Sequence, residues 1–274
     1  MPPASEPAGA PDASASVLDQ YVRSHPSAQN AVDLFAGEWS SALPAHVGVT
    51  AGSVALFDDG RVRWIIERTG GVDGRSVLEL GPLEGAHTTM LEAAGARVTA
   101  IEANSRAFLR CLVVKEILPL RSARFLLGDF VSFMEDTEDR YDLVLASGVV
   151  YHAPDPLRML AAIAQVTDRV GIWTHYYHPQ LIAGDEWAAR LFRSAPFTGS
   201  LAGVDVTLHR REYRESLECS GFCGGPEESA VWMELDDIVA VLRALGFDRV
   251  DVTDDDHHHL HGACALLYAE RSAV

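Results

Sequence analysis

An ordered set of acids and glycines in the middle of this 274-residue chain has types and spacings that suit ligand binding. Its members are Glu79, Gly81, Gly85, Glu102 and the run Gly128-Asp129-Phe130. Glycine lets a backbone approach a ligand closely because it has no Cβ atom. Glu79 is a poor neighbour for phosphates but suits a cationic amino group, and Glu102 is placed to accept hydrogen bonds from a ribose diol. The set therefore predicts a nucleotide-type site for a ligand with a cationic amino group.

Histidines follow two later apolar segments, 141–146 and 170–174, and they are candidates for proton transfer. An imidazole whose pKa is near neutrality can take a proton from a hydroxyl group. We therefore predict His152 as a catalytic base and His175 as the second choice. The alternative for His152 is a histidine that positions the loop or contacts a cofactor. Tyr151 is predicted to be a wall of the site, because a phenol pKa of about 10 lies far from neutrality.

Five apolar segments are predicted to be the strands that position these residues. They are 76–80, 97–101, 124–127, 141–146 and 170–174. Strands that alternate with helical patterns indicate a parallel sheet, whose ligands bind beyond the carboxyl ends of the strands. The candidate residues follow those ends, so the sequence predicts that they meet at one edge of the sheet.

The ordered acids and glycines make the chain resemble the class I S-adenosylmethionine-dependent methyltransferases over roughly residues 74–175. The resemblance implies a Rossmann-like α/β fold with a seven-stranded sheet in the order 3-2-1-4-5-7-6. Strand 7 is expected to be antiparallel, with N-terminal helices and an insertion after strand 5. The chain departs from the family at Leu83, which stands where the usual acid-x-Gly-x-Gly-x-Gly loop has its middle glycine.

The resemblance also implies S-adenosylmethionine as the cofactor and S-adenosylhomocysteine as its product. The glycine loop is then expected at the amino-acid end of the cofactor, Glu102 at the ribose, and Asp129 with Phe130 at the adenine. The predicted cofactor contacts are Glu79, Gly81, Pro82, Leu83, Gly85, Glu102, Asn104, Gly128, Asp129, Phe130, Ser147 and Gly148. A nicotinamide dehydrogenase is the rival interpretation, but its G-x-G-x-x-G motif is absent from this loop.

The run Tyr151-His152-Ala153-Pro154-Asp155-Pro156 is similar to the loop after strand 4 in several methyltransferase subfamilies. One of these makes the carboxymethyl group of the tRNA wobble uridine, and others act on small molecules. The predicted substrate contacts are Tyr151, Tyr176, His178, Arg210 and Arg214. The two arginines could hold an acidic acceptor. The alternative is that they belong to a solvated, charged face of the protein.

The composition bounds the partners of the protein. Its formal net charge is −17, from 39 acidic and 22 basic residues, and such a field repels polyanions. A small molecule or peptide is therefore the predicted acceptor, and nucleic acid is disfavoured. The sequence contains no run of eighteen apolar residues, so no membrane-spanning helix is predicted. Four scattered cysteines indicate a reduced, cytoplasmic protein, and the alanine-rich, lysine-poor composition suggests a bacterial source. The oligomeric state stays open.

The chain is predicted to have five regions. They are a disordered tail at 1–16, an N-terminal helical cover at 17–70, a cofactor-binding core at 71–178, a substrate lid at 179–231 and the C-terminal end of the core at 232–274. No metal site is predicted. Residues 254–261 combine carboxylates with imidazoles, but adjacent residues of one hairpin loop rarely converge on one ion. Cys219 and Cys223 lack the second pair that a zinc site needs.

The sequence thus predicts methyl transfer from S-adenosylmethionine to an oxygen, or a nitrogen, of a small molecule or peptide in bacterial specialised metabolism. Two alternatives stay open. The first is a tRNA-modifying alkyltransferase, and the second is a cofactor-binding protein without turnover.

Overall fold

The computed structural model describes residues 21–218, 222, 224–225 and 227–272. The predicted disordered tail at 1–16 and the pair Cys219 and Cys223 lie outside the described residues. No helix among the described residues is long and apolar enough to cross a bilayer.

The described residues contain ten strands and nine helices. The strands are β1 (Ser76–Leu80), β2 (Arg97–Glu102), β3 (Ala123–Leu127), β4 (Leu143–Ser147), β5 (Arg169–His175), β6 (Phe197–Leu201), β7 (Val204–Glu212), β8 (Ser229–Met233), β9 (Arg249–Asp256) and β10 (Cys264–Glu270). The helices are α1 (Ala28–Asp33), α2 (Gly60–Arg68), α3 (Ala86–Ala93), α4 (Ser105–Ile117), α5 (Phe130–Asp136), α6 (Pro156–Val166), α7 (Pro179–Gly184), α8 (Glu186–Leu191) and α9 (Leu235–Ala244).

A seven-stranded sheet in the order β3-β2-β1-β4-β5-β10-β9 forms the centre of the fold. Strands β1 to β5 are parallel, and β10 runs antiparallel to both of its neighbours. The sequence also predicts a sixth strand at 247–252 and a seventh at 263–269, and these correspond to β9 and β10. The predicted order and the antiparallel seventh strand are therefore confirmed.

Both faces of this sheet are buried, which explains why its central strands have no polar alternation. Successive side chains of a strand point to opposite faces. Leu78 and Val144 accordingly pack with α6 and α9 in one core, whereas Val77 and Leu143 pack with α3 and α4 in the other. The two cores take alternate residues of β4, and each requires apolar side chains. The sequence of β4 is therefore almost continuously apolar.

The insertion after β5 contains a second, antiparallel sheet in the order β6-β7-β8, which the sequence analysis did not predict. Val204, Val206 and Leu208 alternate with polar residues and are the period-2 signal for β7. Both residues of the β6–β7 hairpin, Ala202 and Gly203, have positive φ values of 51° and 82°. This sheet ends at Met233, two residues beyond the predicted lid boundary at 231.

Main-chain pairing fixes the insertion to the site-bearing end of the central sheet. The amide of Val231 in β8 donates a hydrogen bond of 2.9 Å to the carbonyl of Ala153, in the loop after β4. Side chains of Val206 and Leu208 join the apolar core beneath. The insertion therefore packs directly on the loop that carries His152.

Candidate functional site

A cavity of about 760 Å³ lies at the carboxyl ends of β1, β2, β4 and β5. Its volume is in the range of small-molecule sites. The predicted site residues that line it are Gly81, Pro82, Leu83, Glu102, Asn104, Asp129, Phe130, Ser147, Gly148, Tyr151 and His152. The N-terminal cover adds Ser41, Leu56 and Arg61, and the loop between β9 and β10 adds His259. The predicted meeting of these strand ends is therefore present in the fold.

The loop after β1 turns sharply through three residues in the left-handed region. Gly81, Leu83 and Gly85 have φ values of 63°, 55° and 73°. A Cβ atom at Gly81 would lie 2.6 Å from a methyl group of Val149, so glycine is required there for space as well as conformation. Leu83, which stands at the family's middle glycine position, also adopts a left-handed backbone.

Glu102 ties this loop to the end of β2. One carboxylate oxygen accepts a hydrogen bond of 3.1 Å from the Leu83 amide, and the other accepts one of 2.8 Å from the Asn104 amide. The Asn104 side chain in turn caps α4 by accepting from the amides of Arg106 and Ala107. Burial raises the pKa of Glu102, although these amide hydrogen bonds oppose the shift.

Glu79, Gly85 and Gly128 are not among the residues that line the cavity. Glu79 is only 2% exposed, and its carboxylate accepts a hydrogen bond from the Thr88 hydroxyl at the start of α3. Burial raises its pKa to about 7. Glu79 thus supports the glycine loop from within the core.

His152 ends a short 3₁₀ turn, Val150–His152, and faces the insertion. Its Nδ1 atom lies 2.7 Å from the phenol oxygen of Tyr213, which is buried just beyond β7. Burial, followed by the positive field of Arg211 and the proximity of His175, lowers the His152 pKa to about 3. The imidazole is therefore neutral at physiological pH, and it is a weaker base than a histidine with an ordinary pKa.

Tyr213 was not predicted from the sequence as a site residue. The sequence shows only one aromatic residue within the charged run Arg210-Arg211-Glu212-Tyr213-Arg214. Such a run is also typical of a solvated surface, so it does not identify Tyr213 as a site residue.

An aromatic cluster of Tyr151, His152, Trp173, His175 and Trp232 forms one end of the site. The ring centroid of Tyr151 lies 4.1 Å from that of His152 and 4.7 Å from that of His175. The Trp232 indole N–H donates a hydrogen bond of 2.9 Å to the Tyr151 carbonyl. Tyr151 and Trp173 line the cavity, whereas His175 lies behind them. The two tryptophans were not predicted as site residues.

The other predicted substrate contacts lie outside this cavity. The Tyr176 hydroxyl donates to Asp255 at 2.5 Å, and His178 caps the first turn of α7. Arg210 donates to the Ser229 hydroxyl at 3.0 Å, and Arg214 pairs with Glu212 at 2.9 Å. Each of these side chains has a structural partner of its own, and the fold does not bring them to His152.

The N-terminal cover adds charged groups that the predicted site did not contain. Asp59 accepts hydrogen bonds from Arg61 and lies 2.9 Å from His87 Nε2. Burial alone would raise the Asp59 pKa, but the hydrogen bonds from His87 and Arg61 lower it well below its usual value. The Arg61 guanidinium lies 4.3 Å from the Trp173 ring centroid. This group closes the cavity on the side of the cover.

Comparison with known families matches residues 78–173 to a methyltransferase domain. The ubiquinone biosynthesis O-methyltransferase of Aeromonas salmonicida (strain A449) is 27% identical over 140 residues, which are 48% of this chain and 58% of that protein. The alignment thus spans less than two thirds of that relative's length. The matched domain runs from β1 to β5, and the two matches support the prediction of an S-adenosylmethionine-dependent methyltransferase.

Solved structures share the fold at low identity. The N-terminal domain of EvdMO1, with S-adenosylhomocysteine bound, has a TM-score of 0.64 and 21% identity over 89% of this chain and 95% of that one. The 1,6-didemethyltoxoflavin-N1-methyltransferase of Burkholderia thailandensis, with 1,6-didemethyltoxoflavin and S-adenosylhomocysteine bound, has a TM-score of 0.53 and 16% identity over 80% of this chain and 79% of that one. At these identities the likeness establishes the fold.

Proposed function

We propose that this protein is an S-adenosylmethionine-dependent methyltransferase that acts on an oxygen, or a nitrogen, of a small molecule. The observation that carries the proposal is a single cavity with the buried Glu102 carboxylate on one side and neutral His152 on another. The methyltransferase domain match over residues 78–173 supports the choice of cofactor. The solved relatives with bound S-adenosylhomocysteine support it as well.

The residues present fit this cofactor. Gly81 and Leu83, whose backbones are left-handed, line the cavity, and Glu102 presents a carboxylate for a ribose diol. We assign the adenine end to Asp129 and Phe130, both of which line the cavity. When bound, the cofactor supplies a methyl group on a sulfonium, which is intrinsically reactive.

The protein then has three tasks, which are to align the acceptor, exclude water and remove a proton. We assign alignment to the wall formed by Tyr151 and Trp173. We assign proton removal to His152, which lines the cavity and is unprotonated before the reaction. Its pKa of about 3 makes it a weak base, so the proton moves late, when methylation has made the acceptor group strongly acidic. The insertion and the cover enclose the cavity from two sides and limit the access of water.

An RNA acceptor is less well supported. The net charge of −17 opposes a polyanion. Arg210 and Arg214, which could have offset that charge, are not among the residues that line the cavity. We propose a small acceptor from bacterial specialised metabolism, with the cytoplasm as the location.

Calorimetric titration with S-adenosylmethionine and S-adenosylhomocysteine tests the proposal. We expect micromolar binding to the wild type and a loss of about tenfold or more in Glu102→Ala, because a hydrogen-bonded charged contact is removed. Glu116→Ala, at an exposed position of α4, is the matched control and should bind as the wild type does. Absence of binding to a folded wild type would overturn the proposal. Transfer of radiolabelled methyl groups into fractionated small-molecule extracts would then identify the acceptor.

A further inference from the structure

Three potential metal ligands from separate segments converge at the His175 end of the aromatic cluster. Ligand atoms of His175 in β5, His259 in the β9–β10 loop and Cys264 in β10 all lie within 4.8 Å of one another. His175 and Cys264 are direct partners across the antiparallel β5–β10 ladder, and both are buried. The sequence predicted no metal site, either among the adjacent residues 254–261 or at Cys219 and Cys223. The sheet instead combines one residue of that loop with two strand residues.

The hydrogen bonds of His175 leave one ring nitrogen available as a ligand. Its Nδ1 lies 3.0 Å from the carbonyl oxygen of Gly262 and 3.2 Å from that of Ala263. Carbonyl oxygens only accept, so Nδ1 carries the proton and Nε2 carries a lone pair. Metal-binding histidines almost always donate their other N–H to a carbonyl or carboxylate in this way. The orienting carbonyls come from the two residues that precede Cys264.

His259 completes the set from the side of the cavity, which it also lines. Its ring centroid lies 4.9 Å from that of His175. Its Nδ1 accepts a hydrogen bond of 3.2 Å from the amide of His261, and ligation would exchange this long bond for a bond to the ion.

The backbone that carries His259 is irregular in a manner typical of functional sites. The register of β9 against β10 shifts between Cys264 and Leu266. Asp254, at the shift, has a left-handed φ of 48°, and Asp255 is held by the Tyr176 hydroxyl. Bulges of this kind re-aim side chains and are common beside active sites. The neighbouring cation, Arg61, would oppose an ion, but its charge is paired with Asp59.

We propose that His175, His259 and Cys264 bind one divalent transition-metal ion, with Zn²⁺ as the preferred occupant, beside the acceptor end of the cavity. Two imidazoles and one thiolate are ligands that Zn²⁺ favours, and three protein ligands leave one tetrahedral position open. Binding forms a metal–sulfur bond and releases the thiol proton of Cys264 to solvent. Activation of an acceptor hydroxyl at the open position would follow. That role rests on the proposed function, whereas binding of the ion does not.

Cobalt is a suitable probe because a bound thiolate gives Co²⁺ a charge-transfer absorption. The full chain, without a histidine tag and under reducing conditions, is titrated with Co²⁺ alone and then with Zn²⁺ as competitor. We expect one ion per chain, a thiolate-to-cobalt band, and displacement by Zn²⁺. Cys264→Ser should abolish the band, and His259→Ala should weaken binding by about tenfold or more.

Two variants serve as matched controls. His258→Ala removes an exposed imidazole from the same loop, and Cys111→Ser removes the buried thiol of α4, which is not a member of the cluster. Both should bind Co²⁺ as the wild type does. Failure of the wild type to bind, a band that persists in Cys264→Ser, or loss of binding in His258→Ala would overturn the proposal. If Cys264→Ser does not fold, His259→Ala decides, because it alters a partly exposed loop residue. The same samples are also titrated with S-adenosylhomocysteine. Binding of this ligand without binding of Co²⁺ would overturn the metal site alone and leave the proposed function intact.

Discussion

Nδ1 of His152 lies 2.7 Å from the phenol oxygen of Tyr213. The two residues come from the loop after β4 and from the insertion, and docking of the insertion brings them together. When Nδ1–H donates to the phenol oxygen, Nε2 keeps a lone pair for proton abstraction. A base that is oriented by a third group is a recurrent arrangement in catalysis.

We expect His152→Ala to lower the rate of methyl transfer by about 10²-fold or more, because general-base catalysis contributes on that scale. Tyr213→Phe should lower it less, by about tenfold, because the base remains but its orientation is lost. Affinity for S-adenosylhomocysteine should stay near the wild-type value in both. Initial rates of radiolabel transfer at saturating cofactor measure the effect.

The pH profile adds a second measurement of the same residue. Since the His152 pKa is lowered to about 3, the imidazole is unprotonated between pH 5 and 8. Titration of His152 should therefore not change the rate of methyl transfer over this range. A rate that falls on acidification with a midpoint near 6.5, and that loses this midpoint in His152→Ala, would contradict the assignment. Tyr177→Phe is the matched control, because Tyr177 is not among the residues that line the cavity.

Glu84 holds the N-terminal cover on the glycine loop. Its side chain is fully buried, and its carboxylate accepts hydrogen bonds of 2.8 Å from the amides of both Ser40 and Ser41. Arg110 Nε lies 3.6 Å away. We expect Glu84→Gln to destabilise the fold by about 2 kcal/mol, because the two amides lose a charged acceptor and the buried Arg110 guanidinium keeps only Glu38 as a charged partner.

Cofactor affinity should fall in the same variant, since Ser41 lines the cavity. Urea denaturation and calorimetric titration measure the two effects, with Glu116→Gln as the exposed control. A variant as stable as the wild type would show that the cover is held by its apolar contacts alone.

Leu83 occupies a left-handed backbone position at a φ of 55°. Leu83→Gly should change stability by less than about 1 kcal/mol, because relief of the left-handed strain is offset by the backbone entropy of glycine. Leu83→Val should destabilise by about 1–2 kcal/mol and weaken cofactor binding, since a β-branched residue fits this conformation poorly. Chemical denaturation and calorimetry distinguish the variants. Equal behaviour of valine and leucine would mean that the loop relaxes away from this conformation.

Glu79 makes stability depend on pH. Burial raises its pKa from 4.5 to about 7, so the folded carboxyl keeps its proton over a range in which the unfolded one has lost it. Its contribution to stability is fully present below about pH 4.5 and is lost as pH rises to about 7. Glu79→Gln cannot ionise, and its stability relative to the wild type should therefore rise between pH 5 and 8, by up to roughly 3 kcal/mol. Thermal melts of both proteins across this range test the sign, and a difference that does not change with pH would refute it.

The sequence by itself determined the central sheet and most of the cavity-lining residues that we propose as cofactor contacts. Strand β4 is identified by an apolar run, and Gly81 and Gly85 identify the turn because few other residues accept its backbone conformation. Glu102 directly ends its strand, and Asp129 follows the end of β3. Parallel strands place such residues at one edge whatever the rest of the chain does, so local signals were sufficient.

Only the tertiary structure decided the acceptor side. Tyr213 reaches His152 because β8 pairs with the loop after β4, and His175 meets Cys264 because β10 inserts beside β5. Tyr176 and Arg214, which the sequence made equally attractive, take Asp255 and Glu212 as partners instead. The periodicity of apolar residues and the residue types at turns predict the strand, helix or loop in which each residue lies. Contacts between side chains that are distant in sequence depend on how those elements dock, and no local pattern records that.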